Sequence, residues 1–375
     1  MSKQKEVLII HFRSAMDYPP VYNIARYMAG VDVSVTIVNG RRRESSIELE
    51  KFGVRVVETG MNKGSGWRNY LAYFVYYIKA FYEMVKSPRI PVIYFESISS
   101  PPVYLFFLLF PFSKRTLAIH YHEYFDKEEH KEQSFLERFG RRLEPLLFKR
   151  AMWISHTNND RLYRFHSEFP SIADSKLQLL PNYPSERWIR RPRTRNSDSN
   201  EPIRLVYVGS VSMKRLFLPE LAQWLIKQQG KYTCDIYSKN MDNEVLQFLE
   251  GQPSGLLTYK GSVHYDHLPE LLPLYDVGLI LYNGLYSNNF VYNAPNKLFE
   301  YYACGLDVWF SDTLISSHAY ETHDTYPKIL KIDFSRLDNF DAQAALNRVG
   351  LEYRQSDYVL ENVYNRLYKE LLNQS

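Results

Sequence analysis

From Glu6 onward, short apolar runs alternate with segments long enough to be helices. This is the pattern of parallel strands buried on both faces, each followed by a covering helix. The spacing predicts strands over 6–12, 32–38, 54–58, 91–96, 116–121, 152–156 and 177–181, with helices near 20–29, 44–52, 67–86, 101–112, 133–150 and 157–168. Between Tyr183 and Pro202 the chain turns to Pro, Arg, Ser and Asn without apolar periodicity, and reads as a boundary that cannot join a core. The alternation then restarts, with strands over 203–208, 233–237, 257–260, 277–282, 306–310 and 328–332, and helices near 215–229, 242–250, 267–275, 295–304 and 313–322. The expected fold is α/β: two doubly wound Rossmann-like domains facing a cleft, residues 1–185 and 203–353, joined by a linker over 186–202. Helical spacing resumes over roughly 338–373, and its end, about 354–375, is expected to cross back onto the first domain.

One stretch carries more than pattern. Asn293 to Ser311 reads as a helix with a marked start and stop, then a buried strand. Asn293 is the expected N-terminal cap, Pro295 sits near the first helical position, and Gly305 closes the helix. Leu298, Tyr301 and Tyr302 share one face, while Lys297 and Glu300, three apart, share another. Taken alone, Lys297 and Glu300 read as a surface pair. A helix N-terminus is also a ready anion site, and a carboxylate farther along could grip the vicinal hydroxyls of a sugar attached to that anion. Gly209-Ser210, directly after a predicted strand and before Lys214-Arg215, is a second feature suited to a diphosphate.

Composition narrows the class. The 375 residues carry two cysteines, Cys234 and Cys304, too few for a disulfide framework or a thiolate metal site, and this favours a reducing cytosol. No signal-peptide pattern opens the chain, and the longest apolar run, Pro101 to Phe112, is short of the roughly 20 residues that span a bilayer. The formal charge of +4 hides an asymmetry: residues 1–200 hold 31 Lys/Arg against 21 Asp/Glu, or +10, leaving 15 against 21, or −6, for the rest. The basic residues Arg41-Arg42-Arg43, Arg138/Arg141/Arg142, Lys149-Arg150 and the run from Arg187 to Arg195 form either a solvated surface or one that meets an anionic partner or a membrane. Helix 67–86 is one candidate for membrane contact and reads equally well as a core helix.

Other signals are negative or open. The first strand leads into Arg13 to Asp17 and then Pro19-Pro20, without the G-x-G-x-x-G turn of a nicotinamide-binding crossover. There is no G-x-S-x-G elbow, Walker loop or D-x-D pair, and the acidic run Asp126 to Glu132 reads as a solvated loop. His120 and His122 share a strand face, which allows a metal pair, an orienting hydrogen-bond donor or an ordinary strand-end histidine.

Pro295-x-Lys297-x-x-Glu300-Tyr301-x-Ala303-x-Gly305 before a strand, Val208-Gly209-Ser210 before a basic helix start, His122-Glu123, and Leu180-Pro-Asn182-Tyr-Pro184 together resemble retaining glycosyltransferases of the GT-B fold, especially glycosyltransferase family four. The resemblance implies a hexosyltransferase-like enzyme moving a sugar from a nucleotide-diphosphate sugar to a glycan or lipid-linked acceptor, in surface polysaccharide biosynthesis at the inner membrane face. It implies no cofactor, no metal and no nucleic-acid partner. It assigns ribose hydroxyls to Glu300, the diphosphate to the backbone near Asn293 and Ala294 with a basic residue at Arg215 or Lys214, and the donor sugar's surroundings to His122; Gly209, Ser210 and Lys297 complete the expected donor site. The family's E-x7-E signature places a second Glu eight residues before Glu300, where this chain has Tyr292. The Gly-Gly often found after the first strand is replaced by Arg13 to Asp17. Because of Tyr292, a non-catalytic subunit that binds nucleotide sugar or glycan stands as an alternative, and a GT-B-fold nucleotide-sugar epimerase is a second.

Overall fold

A computed structural model describes residues 5–15, 18–40, 46–59, 67–194, 201–239 and 241–373. Arg41 to Arg43, Asp17, and the part of the linker from Arg195 to Asn200 lie outside the described residues. The chain divides into two compact units, residues 1–181 with 360–375, and residues 182–359.

The first unit is a seven-stranded parallel sheet of order β3-β2-β1-β4-β5-β6-β7. Its strands are β1 (Lys5–His11), β2 (Val33–Asn39), β3 (Arg55–Glu58), β4 (Val92–Phe95), β5 (Leu117–Tyr121), β6 (Trp153–His156) and β7 (Leu177–Leu179). Its helices are α1 (Pro19–Gly30), α2 (Ser46–Lys51), α3 (Trp67–Lys86), α4 (Ser100–Leu109), α5 (Lys127–Lys131), α6 (Phe135–Phe148) and α7 (Asn159–Glu168). Leu8 and Ile10 face a core built with Tyr76, Ala80, Phe106 and Leu147 from α3, α4 and α6. Val7 and Ile9, pointing the other way, are equally buried, so the sheet is covered on both sides. Strand order reverses between β1 and β4, which puts the loops after those two strands at a topological switch point.

The second unit repeats the plan with a six-stranded parallel sheet. Its strands are β8 (Ile203–Val208), β9 (Tyr232–Tyr237), β10 (Leu257–Tyr259), β11 (Val277–Ile280), β12 (Asp307–Ser311) and, beyond the two-residue β13 (Thr325–Tyr326), β14 (Ile329–Ile332). The order is β10-β9-β8-β11-β12-β14, with the switch point between β8 and β11. The helices are α8 (Leu218–Lys227), α9 (Asn243–Glu250), α10 (Leu268–Leu271), α11 (Asn288–Val291), α12 (Asn296–Ala303) and α13 (Ala342–Leu346). Leu205, Tyr207, Leu279 and Trp309 pack with α8 on one side. Val206, Ile280, Val308 and Phe310 pack with α12 on the other.

Gly278 fixes how closely α12 can approach. A Cβ at Gly278 would lie 2.2 Å from the Tyr301 ring. Tyr301 is fully enclosed, and its hydroxyl accepts from the Val208 N–H at 2.9 Å. Gly278→Ala is therefore expected to push α12 off the sheet and destabilise the protein by about 1–3 kcal/mol, measurable by urea denaturation.

Several elements differ from the sequence reading, each for a tertiary reason. The long helix over 338–373 is broken into α13 and α14 (Leu360–Asn373). Between them Lys328 Nζ donates to the carbonyls of Ala345 and Asn347 at 2.9 and 2.7 Å, Gly350 takes φ +78°, and β15 (Glu352–Tyr353) pairs with β13. Only α14 returns to the first unit, where the Tyr364 hydroxyl donates to the Pro181 carbonyl at 3.0 Å. The predicted helix at 313–322 is a 3-10 segment, Ile315–Tyr320, and the one at 267–275 ends in another over Leu272–Leu274. The acidic run is not a loop throughout: the Asp126 carboxylate accepts from the Glu128 and Glu129 N–H groups and starts α5. The linker does join a core, since Trp188 is wholly buried among second-unit residues and the Arg190 N–H donates to the Ala303 carbonyl at 2.8 Å. Among the described residues no helix is long and apolar enough to cross a membrane.

Candidate functional site

Three segments of the second unit meet at its switch point. β8 ends in a turn at Gly209, β11 runs into Tyr282, and α12 begins at Asn296. Lys297 ties them together. Its ammonium donates to the Tyr282 hydroxyl at 2.7 Å and lies 3.4 Å from that of Tyr207, while sitting 4.6 Å from the centre of each ring. Two electron-rich faces hold the charge in place. Gly209, at φ +137°, leaves the space above it: a Cβ there would lie 2.4 Å from Lys297 Nζ. The glycine is required for its backbone angle, and a side chain there would also displace the end of Lys297.

The same turn is pinned by the Tyr207 hydroxyl donating to the Ser210 carbonyl at 2.8 Å and by the Gly209 N–H donating to the Tyr237 carbonyl at 2.9 Å. Ser210, Lys214 and Arg215 follow it, all three exposed. Arg215 is drawn toward the end of β11 because the Asn283 N–H donates to its carbonyl at 2.9 Å, and its guanidinium lies 5.1 Å from the Tyr286 ring centre. Among the described residues Lys214 makes no comparable ring contact.

Asn293 is not the cap of α12. Pro295 occupies that position without a side-chain hydrogen bond, and the Asn293 carbonyl instead accepts from the Ser317 hydroxyl at 2.9 Å. The reason is the preceding α11, which carries the chain through Tyr292 and Asn293 in a turn whose N–H groups donate to Asn288 and Phe290. Tyr292 ends α11 at the place the family signature fills with Glu. Ala294 is buried, and the N–H groups of Asn296 and Lys297, the first two of α12, have no acceptor inside the helix.

One turn on, Glu300 is 6% exposed and its Oε1 accepts from the Tyr265 hydroxyl at 2.9 Å. Burial pushes its carboxyl up to about 7, against the opposing pull of the Tyr265 hydroxyl and the Lys297 ammonium. Instead of forming a surface pair, Lys297 and Glu300 each hold tyrosine hydroxyls in a half-enclosed wall. Gly305, at φ +84°, ends the helix as expected. Tyr282 lies in the strand-end loop, Tyr282 to Tyr286, that the sequence already places beside this helix, whereas Tyr207, Tyr265 and Ser317 were not singled out; with 31 tyrosines in the chain, no spacing marks the first two.

In the first unit the switch point holds Arg13 after β1 and Glu96 after β4. Arg13 Nε lies 3.9 Å from the Glu96 carboxylate, and the Tyr18 hydroxyl donates to Glu96 Oε1 at 3.0 Å. Glu96 has φ +65°, an angle a glutamate rarely takes, and burial raises its carboxyl above the ordinary range. Arg13 and Glu96 line a pocket with Tyr121, Glu123, Tyr124 and Arg141. Beneath it the fully buried Glu144 accepts from the hydroxyls of Tyr121 at 2.6 Å and Ser97 at 2.8 Å.

His122 follows β5 and is 4% exposed. Its ring stacks on Phe95 at 5.1 Å and meets His120 edge-on at 4.7 Å, with Tyr18 at 5.1 Å. His120 turns inward, with Nδ1 2.8 Å from the Ser155 hydroxyl, and burial lowers its pKa to about 3. The structure therefore brings Gly209, Lys297, Glu300, Asn293, Ala294, Tyr292 and Arg215 to one end of the second sheet, and His122 to the corresponding end of the first.

No protein-family model and no curated protein matches this sequence. Solved structures do match along nearly the whole chain. The lipopolysaccharide outer core galactosyltransferase WaaB superposes with TM-score 0.63 at 12% identity, covering 97% of this chain and 99% of that one. Anabaena Alr3699/HepE, solved in complex with UDP and glucose, gives 0.62 at 11%, covering 98% and 99%. The sucrose-phosphate synthase of Thermosynechococcus elongatus gives 0.64 at 11%, covering 99% and 100%. At such identities the likeness speaks to architecture, and the chain has the two-domain GT-B fold of these glycosyltransferases.

Proposed function

We propose that this protein is a glycosyltransferase that takes a sugar from a nucleotide-diphosphate donor held at the switch point of the second unit. The observation that carries the reading is the pairing on α12 of a caged cation with a buried carboxylate, Lys297 and Glu300. An ammonium beside a glycine turn and helix N–H groups that have no acceptor inside the helix suits a diphosphate. A carboxyl held one turn farther along suits the paired hydroxyls of the attached ribose. The ligands of one structural relative, UDP and glucose, agree in kind.

On this reading, cleavage of the sugar–phosphate bond leaves negative charge on the departing diphosphate. Lys297, Arg215, Lys214 and the first N–H groups of α12, with the turn at Gly209 and Ser210, stabilise that charge. No metal ligand is needed for this step. The acceptor is a hydroxyl-rich glycan or lipid-linked group in the first-unit pocket beside Arg13 and Glu96. His122, fixed by its ring contacts, is the first unit's candidate hydrogen-bond donor to a sugar hydroxyl, and the leaving phosphate takes the acceptor proton in a front-face displacement with retention. Tyr292, near Asn293 and Ala294, replaces a carboxylate with a phenol and so changes which sugar is preferred.

The test is to incubate the protein with UDP-, GDP- and ADP-sugars and candidate acceptors and to read the product by NMR. A glycoside with the donor's anomeric configuration is expected. An inverted product would remove the retention claim, and an epimerised nucleotide sugar formed without acceptor would replace transfer with isomerisation.

A further inference from the structure

The layer formed by α3, α4 and α6 has an outward side that its packing does not explain. Helix α3 buries Ala72, Tyr76, Ala80 and Met84, yet Trp67, Tyr70, Phe74, Ile78, Tyr82 and Val85 are exposed, Trp67 at 69% and Phe74 at 60%. Their spacing follows one stripe along a helix of 20 residues, roughly 30 Å in length. On α4 and just beyond it, Leu105, Leu108, Leu109 and Phe112 continue the pattern, Phe112 at 94%. On α6, Phe135, Phe139 and Leu146 do the same. A monomer rarely leaves so many large apolar side chains together in water.

Charge identifies the occupant. Arg68 and Lys86 flank the α3 stripe, and Arg138 and Arg142 alternate with the apolar residues of α6; all four are exposed. These three helices contain three glutamates, Glu83, Glu137 and Glu144. Glu83 is buried and pairs with Arg55, Glu144 is fully buried, and Glu137 folds back to the Ser134 N–H and hydroxyl at the start of α6. The helices thus expose aromatic and aliphatic groups and cations, with each carboxylate occupied inward or at a cap. A second copy of the same face would set like charges against one another. A bilayer offers acyl chains beneath a negatively charged headgroup plane, complementary on both counts.

We infer that the α3–α4–α6 face is a docking surface for an anionic phospholipid bilayer, with the aromatic stripe entering the headgroup boundary and the arginines and lysines meeting lipid phosphates. The surface lies wholly in the first unit and does not depend on the nucleotide-sugar reading of the second.

The experiment is co-sedimentation of the full-length protein with phosphatidylcholine vesicles, with and without phosphatidylglycerol. Binding to the anionic vesicles that weakens with salt is expected. Phe74→Asp with Ile78→Asp, and separately Arg138→Glu with Arg142→Glu, should each lower vesicle affinity by about tenfold or more. Because the four side chains are exposed, the melting temperature should stay within a few degrees of the parent's. Failure to bind anionic vesicles at low salt, or binding indifferent to both pairs of substitutions in folded protein, would overturn the inference. So would self-association in sedimentation velocity that Phe74→Asp abolishes, since the face would then belong to a second copy.

Discussion

Glu300→Gln is expected to make the protein more stable and worse at binding nucleotide. The carboxyl titrates at about 7 in the folded chain against 4.5 for an unperturbed glutamate, because it is buried. The folded state therefore holds the proton more tightly than the unfolded state does. Below pH 4.5 neither form is ionised and burial carries no charge penalty. As pH rises from there through 7 the unfolded carboxyl ionises first, and stability is lost at about 1.4 kcal/mol per pH unit, reaching roughly 3 kcal/mol above pH 7. Glutamine removes that penalty while keeping an acceptor for the Tyr265 hydroxyl. The variant should gain about 1–3 kcal/mol at pH 8 and little at pH 5, read from urea denaturation at the two values. Its affinity for a nucleoside diphosphate should fall about tenfold to a hundredfold, through the loss of charged hydrogen bonds to two hydroxyls. A stability gain with unchanged nucleotide affinity would leave Glu300 as a merely strained core residue.

Lys297→Met is expected to separate phosphate recognition from the rest of the site. The methionine fits between the Tyr207 and Tyr282 rings without the charge, so the two faces keep an apolar neighbour and lose about 0.5–2 kcal/mol of cation–π attraction. Affinity for the nucleoside diphosphate should drop about a hundredfold, near 3 kcal/mol, whereas the free nucleoside should bind as before. Isothermal titration with both ligands checks this. Equal losses for nucleoside and diphosphate would mean that Lys297 holds the wall together and does not meet phosphate.

The sequence disclosed much of this because the informative signals are local. Two-sided burial of β8, β11 and β12 shows in their nearly unbroken apolar runs, and Gly209 and Gly305 mark a strand-end turn and a helix end, where the backbone takes positive φ angles. Pro295 and Gly305 bracketed α12 within a residue or so. What escaped was set by contacts distant in the chain. The apolar spacing that suggested one helix over 338–373 runs across a break made by Lys328 and by the pairing of β15 with β13. Asn293 looked like a cap because its residue type suits one, but α11 and Ser317 claim its backbone. The burial of Glu300 depends on Tyr265, 35 positions earlier, and the seating of Lys297 on Tyr207, 90 positions earlier. No local pattern encodes either partner. Arg13 and Glu96 were likewise invisible as a pair until the strand order put the loops after β1 and β4 side by side.

The central claim is that the second switch point binds a nucleoside diphosphate through α12. It is tested most directly by titrating UDP, GDP, ADP and CMP into the intact protein in a calorimeter, alongside a thermal shift of the same mixtures. The account predicts one-to-one binding of at least one diphosphate, a raised melting temperature with that ligand, and loss of both signals in Lys297→Met. No binding by any of the four nucleotides, or binding that Lys297→Met and Glu300→Gln leave untouched, would contradict it.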